Sequence, residues 1–193
     1  MDNGASSYRR FLNGDDNGLV EIIRDYKDGL IFYLNGYVKN IHTAEDLAED
    51  TFFKLAVKRP RFTENHSFKT WLYTIGRNAA INHLKKASKI ADKPISDYTE
   101  VLADERSLEE DYIKSEEKII LHRAIGKLNP DYAGVLHLVY FEEMNNADAA
   151  KVLKKNKRQI ENLLYRAKNA LKSELEKEGF TYEKLRRDGT KRS

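Results

Sequence analysis

The chain has 193 residues, of which 40% are hydrophobic and 34% charged, with a formal net charge of +3 and no cysteine. That length and apolar share allow one moderate core or two small ones, while the absence of cysteine excludes a disulfide frame and any thiolate metal site. The histidines at 42, 66, 83, 122 and 137 show no paired ligand spacing, no apolar signal region opens the chain, and the apolar neighbourhood Val135 to Phe141 is too short to span a bilayer.

These exclusions point to a soluble, cytoplasmic protein without a metal, a cofactor or membrane insertion. A pI near 8.8 is compatible with a polyanionic partner. Tyr8 to Leu12 reads as a short basic-aromatic turn before the cluster Gly14-Asp15-Asp16-Asn17-Gly18, which has the composition of a cap and turn. The apolar residues Leu19, Ile22, Ile23, Tyr26, Leu30, Ile31, Tyr33, Leu34 and Val38 then recur at helical spacing. They predict two amphipathic core segments, with Gly29 as a weak point between them.

Residues 42 to 62 predict a helix capped by Thr43, with an acidic first turn favoured by the helix dipole and Pro60 as its stop. Leu47, Thr51, Phe52 and Leu55 face inward, leaving Asp46, Glu49, Asp50 and Lys54 outward; plain solvation is the simplest reading of such a charged face. Arg61 to Ser67 follows as a polar loop. From Ser67 to Lys86 the next helix buries Phe68, Trp71, Leu72, Ile75 and Ala79, and its remaining surface carries Lys69, Tyr73, Arg77, Asn78, Asn82, Lys85 and Lys86. Lys54 to Lys93 holds ten Lys or Arg against two Asp or Glu. A basic surface with interleaved aromatic and amide groups suits single-stranded nucleic acid, because aromatics stack unpaired bases while cations follow the backbone. Trp71 by itself reads better as a core anchor.

The sign then reverses. Between Ser96 and Lys118 nine Asp or Glu stand against three Lys or Arg, with little apolar periodicity before Leu108, so Ser88 to Glu110 reads as a flexible linker. It is either a tether or an acidic segment able to enter a positively charged channel. Helical order returns at Ile119 and Ile120, stops and restarts at Asn129-Pro130, and continues through Val135, Leu136, Leu138, Val139 and Phe141.

Residues 145 to 171 read as a helix-turn-helix. Asn145 and Asn146 cap a first helix with Ala149, Ala150, Val152 and Leu153 on its inner side, and Asn156 caps a second helix striped by Ile160, Leu164, Ala167 and Leu171. The opposite face presents Lys157, Arg158, Gln159, Glu161, Asn162, Tyr165 and Arg166. Lys151 to Lys177 carries nine Lys or Arg against three Asp or Glu, a concentration suited to phosphates and base edges. A helical hairpin with a solvated face is the alternative. The tail from Thr181 to Ser193 is basic and poor in apolar residues, as frayed termini are. No catalytic motif is present, so an enzyme is not expected.

Three stretches together resemble the extracytoplasmic-function sigma factors of bacterial RNA polymerase, over most of the chain from about Tyr8 to Leu175. TAEDLAEDTFFKL is similar to the family's polymerase-clamp-binding helix, and RFTENHSFKTWLYTIGRNAAINHLKK to its promoter-melting segment. LNPDYAGVLHLVYFEEMNNADAAKVLKKNKRQIENLLYRAKNAL is similar to the helix-turn-helix that reads the minus-thirty-five element. The chain departs from that pattern at Lys154, where the family has a turn glycine, and at Asn156 to Ile160, where it has Ser-Val-Gly-Thr-Val; Glu161 and Leu163 replace further expected basic residues. The family's base preference therefore does not carry over.

The resemblance implies an all-α protein of two small helical domains, residues 1–90 and 113–177, joined by an acidic linker at 91–112 and followed by a basic tail at 178–193. It implies core polymerase binding through Asp46, Glu49, Asp50 and Lys54, and capture of the melted minus-ten strand by Arg61, Asn65, His66, Lys69, Tyr73, Arg77 and Asn78. Lys157, Arg158, Gln159, Glu161, Asn162, Tyr165 and Arg166 would contact double-stranded minus-thirty-five DNA. An anti-sigma factor is the further expected partner, and promoter recognition, DNA melting and transcription initiation the expected function. Two other readings stay open: a stand-alone helix-turn-helix regulator, and a polymerase-binding module that does not read promoters.

Overall fold

A computed structural model describes residues 3–63, 65–91 and 116–179, and every regular element among them is helical. In chain order these are α1 (Asn3–Leu12), α2 (Asn17–Val38), α3 (Ile41–Lys58), α4 (Phe68–Ala91), α5 (Glu116–Gly126), α6 (Pro130–Leu136), a π-helical turn (His137–Phe141), α7 (Asn146–Leu153) and α8 (Lys157–Lys177). The fold is all-α, with α1–α4 forming an N-terminal unit and α5–α8 a C-terminal one. No helix among the described residues is long and apolar enough to cross a membrane. Most of the acidic linker and all of the tail from Thr181 lie outside the described residues.

The N-terminal unit is built around α2. Its Leu30, Ile31, Tyr33, Leu34, Tyr37 and Val38 are buried, and α1, α3 and α4 pack about them. Tyr8 to Leu12 is the end of helix α1, not a short turn: Tyr8 and Phe11 are buried, and the Tyr8 hydroxyl donates to the Pro60 carbonyl at 2.7 Å. α2 is one continuous helix where two segments are expected from the sequence. Its glycines are sites of close approach, not breaks. A Cβ on Gly18 would collide with the Ser7 carbonyl of α1, and one on Gly29 would fall 2.6 Å from the Tyr73 hydroxyl. Tertiary packing thus outweighs the helix cost of glycine, about 1 kcal/mol.

α3 is capped by Asn40, one turn earlier than Thr43, because the Asn40 side chain accepts from the Thr43 N–H at 2.9 Å. The helix stops at Lys58 with Arg59 left-handed, so Pro60 lies just past the end. Ser67 caps α4 by accepting from the Thr70 N–H, and Ser88 to Ala91 form its last turn, not linker. Trp71 is a core anchor, its ring 5.2–5.4 Å from those of Phe62, Phe68 and Tyr8.

In the C-terminal unit the Asn129 side chain accepts from the Tyr132 N–H and Pro130 occupies the first turn of α6. The helix then widens into the π turn, Glu142 N–H bonding back to the His137 carbonyl. Phe141 is consequently 38% exposed, where the helical stripe had it buried. His137 is buried at 7% and stacks on Phe141 at 5.3 Å, a core histidine.

Lys154 ends α7 at φ 54°, in the left-handed region where an L side chain is strained. Lys154→Gly is therefore expected to raise stability by about 1 kcal/mol. Chemical denaturation reads this directly, and an unchanged or lowered midpoint would mean that the lysine side chain compensates for its backbone.

The two units are packed against each other, α2 and α4 of one meeting α6, the π turn and α7 of the other. Lys39 Nζ donates to the Gly126 and Leu128 carbonyls at 2.6 and 2.9 Å, closing the end of α5 from the N-terminal unit.

Candidate functional site

The helix-turn-helix is set by local bonds. Asn145 caps α7 by accepting from the Ala147 and Asp148 N–H groups, both at 2.9 Å. At α8, Asn156 accepts from the Gln159 N–H and the Gln159 side chain accepts from the Asn156 N–H, each at 2.8 Å, a reciprocal capping box. Ile160, Leu164 and Ala167 are buried against α6 and α7, which fixes the rotation of α8 about its axis.

Lys157, Arg158, Gln159, Glu161, Asn162, Tyr165 and Arg166 all lie on the exposed side, with Tyr165 70% exposed. Among the described residues Lys157, Arg158 and Arg166 form no ion pair, nor does Glu161. Gln159 differs from the rest because its carbonyl oxygen is occupied in the cap. A shallow depression lined by Lys155, Gln159, Asn162, Leu163 and Arg166 runs along this face.

On α3, Asp46, Glu49, Asp50 and Lys54 are exposed beside two groups missed by the sequence reading: Phe53 at 66% and Val57 at 56%. Positions 46, 49, 50, 53 and 57 share one helical face by their spacing. Phe53 falls three residues after Asp50 and four after Glu49, and that helical spacing was the available signal.

The residues expected to hold the minus-ten strand do not form one open surface. Arg61, Asn65 and His66 are exposed on the loop before α4. Lys69, Arg77 and Asn78 are half-buried on α4, and Arg77 Nε donates to the Tyr37 hydroxyl at 3.3 Å. Tyr73 corrects the expectation of a surface residue: it is fully buried between α2 and the C-terminal unit, its ring 5.2 Å from Tyr33.

What covers it is Glu142, which follows the π turn. Lys69 Nζ lies 3.1 Å from Glu142 Oε2 and also donates to the Glu142 carbonyl at 3.1 Å. His137 Nε2 is 3.3 Å from Oε1, close but not aligned for a hydrogen bond.

Burial alone would raise the Glu142 carboxyl, yet His137, the Tyr73 hydroxyl and Lys69 outweigh it and hold the group down at about 2. A depressed carboxylate stabilises the fold fully above its unfolded value of 4.5 and ceases to do so as pH falls through about 2. The stability difference between the native chain and Glu142→Gln, present at neutral pH, is expected to shrink across that window. Urea denaturation from pH 5 to pH 2 checks this; a difference that stays flat contradicts the assigned partners.

Residues 22–90 match the family model for Sigma-70 region 2, and residues 118–171 that for Sigma-70 region 4, together well over half of the chain. The chain belongs to the sigma-70 family of sigma factors, in its extracytoplasmic-function group.

Among curated relatives, this sigma factor is 26% identical over 175 residues to the ECF RNA polymerase sigma factor SigW of Bacillus subtilis, covering 86% of this chain and 94% of the relative. It is 29% identical over 164 residues to RNA polymerase sigma factor SigV of the same organism, covering 84% and 94%. Solved structures share its fold as well. CnrH in complex with the cytosolic domain of CnrY matches with TM-score 0.61 and 18% identity over 90% of this chain and 95% of that one. The sigma factor RpoE of Bartonella quintana, in complex with the anti-sigma factor NepR, matches with TM-score 0.64 and 20% identity over 81% and 95%.

Proposed function

We propose that this sigma factor binds core RNA polymerase through the exposed face of α3, holds the melted minus-ten strand with the loop before α4 and with α4 itself, and sets α8 into the major groove of minus-thirty-five DNA. The observation that carries the reading is the unpaired basic face of α8, oriented by the capping box on a helix-turn-helix. Positive side chains without intramolecular partners suit phosphates, and the first turns of the second helix suit base edges. The role is positional and non-enzymatic: opening a base step costs about 1.4 kcal/mol, and stacking returns about 1–3 kcal/mol per captured base. The cytoplasm is the compartment of such a factor, and an anti-sigma factor is a natural partner, since two of the fold's neighbours are held by one or by a cytosolic domain.

The acidic linker enters a basic channel of the polymerase in this reading. Permanganate footprinting of a promoter with core enzyme and full chain is expected to show unpaired thymines at minus ten. Replacing the linker acids between Pro94 and Glu110 by Ser should weaken that signal while sparing binding to minus-thirty-five duplex. Equal opening by both chains would reduce the linker to a tether, and no opening by either would remove the melting role.

A further inference from the structure

Glu142 carries a carboxylate from the C-terminal unit into contact with the N-terminal unit, and three features surround it. First, the Lys69 ammonium spends two contacts on it, one to the carboxylate and one to the backbone carbonyl, both at 3.1 Å. Second, α2 is shaped for it: a Cβ on Gly29 would collide with Glu142 Oε1 and lie 2.6 Å from the Tyr73 hydroxyl. Third, the backbone that delivers it is unusual, since the π turn ends at Phe141 and Glu143 follows at φ 54°, a left-handed position held by a residue other than glycine. π turns and left-handed side chains are costly and persist where surrounding contacts require them.

A carboxylate against a lysine, beside a buried tyrosine, offers the same charge and acceptor oxygens as a nucleic-acid phosphate. A partly buried ion pair such as this one stabilises an interface only modestly, because desolvation offsets part of the attraction. Such a contact can therefore be released in favour of another anion.

We propose that Glu142 is an intramolecular latch that occupies the Lys69–Tyr73 site in place of the melted strand, so that the two units must separate before the strand is captured. The latch rests on the reading of Lys69 and Tyr73 as strand contacts. Coupling makes the effect reciprocal: strand binding must open the chain as much as opening favours strand binding.

Because the chain lacks cysteine, Asn13→Cys and Ser173→Cys, both exposed and outside the proposed contacts, accept a donor and an acceptor dye in the full chain. In this background Glu142→Gln and Gly29→Ala are each expected to lower transfer efficiency at unchanged helical circular dichroism. Each should also tighten binding of a labelled single-stranded minus-ten oligonucleotide about tenfold. Gly29→Ala reads the latch even if Glu142→Gln folds poorly, because alanine favours the α2 helix while displacing the carboxylate.

Saturating oligonucleotide should lower the transfer efficiency of the otherwise native chain. Lys69→Gln should open the chain too, yet weaken strand binding. Unchanged transfer efficiency in both Glu142→Gln and Gly29→Ala overturns the latch. Opening in both, combined with Lys69→Gln binding the strand as tightly as they do, overturns the strand-contact reading of Lys69 and leaves the latch as a contact between units only.

Discussion

Asp46→Arg combined with Asp50→Arg is expected to lower affinity for core RNA polymerase by about a hundredfold or more, while stability to unfolding stays within about 0.5 kcal/mol of the native chain. The reason lies in the placement of α3. Ala44, Leu47, Ala48, Thr51, Phe52 and Leu55 bury one side of the helix, so the carboxylates opposite make no contribution to the core. They flank Phe53 and Val57, whose exposure gives the face an apolar centre and an acidic edge. That is the composition of a docking site whose partner supplies cations around an apolar pocket, and reversing two charges turns attraction into repulsion costing several kcal/mol. Phe53→Ala should weaken the same complex about tenfold by removing its apolar centre. Fluorescence anisotropy against core enzyme measures both. Native affinity in the charge-reversed chain, with circular dichroism unchanged, would leave the acidic face with a solvating role only.

Arg158→Glu with Arg166→Glu is expected to lower affinity for minus-thirty-five duplex by about a hundredfold, and to flatten its dependence on salt by roughly two released counterions. Both side chains lie on the exposed face of α8 and neither is engaged in an ion pair among the described residues, so both are available to phosphates. Glu161 stands on the same face, between them in sequence, with no ion pair to Lys157. A carboxylate there is repelled by phosphate unless a base-edge donor faces it, and the N4 amino group of cytosine is one. Glu161→Ala should thus lose about 1–3 kcal/mol of discrimination at one base position. Loss of a merely repulsive charge would instead tighten binding to every sequence. A panel of single-base duplex variants at two salt concentrations separates these patterns, and a uniform gain across it would end the readout assignment.

Three caps were legible in the sequence, whereas the expected Thr43 cap gave way to Asn40. Asn129-Pro130, Asn145 and Asn156 each sit where the side chain accepts from the first turn, because capping is local chemistry. The stripe of Ile160, Leu164 and Ala167 was equally readable, and with it the exposed face of α8. Where long-range contacts decide, the sequence was silent. Gly29 marks a weak point until Glu142 and Tyr73 are seen to need its missing side chain. Tyr73 lies outside the apolar stripe read from Phe68 and Leu72, yet it is buried by the other unit. The π turn has no periodicity signal of its own, and it determines where Glu142 points. Phe53 was hidden beside Phe52, two identical residues of which one enters the core and one faces outward.

This chain is expected to confer promoter-directed initiation on core RNA polymerase. Transcription in vitro on a pool of promoter-length DNA fragments, with core enzyme alone and with the full chain added, tests it most directly. Discrete RNA 5′ ends that appear only with the chain, downstream of two sequence elements at constant spacing, are the expected result. Duplex binding by the chain without core enzyme, accompanied by no new transcript when core is present, would contradict the account.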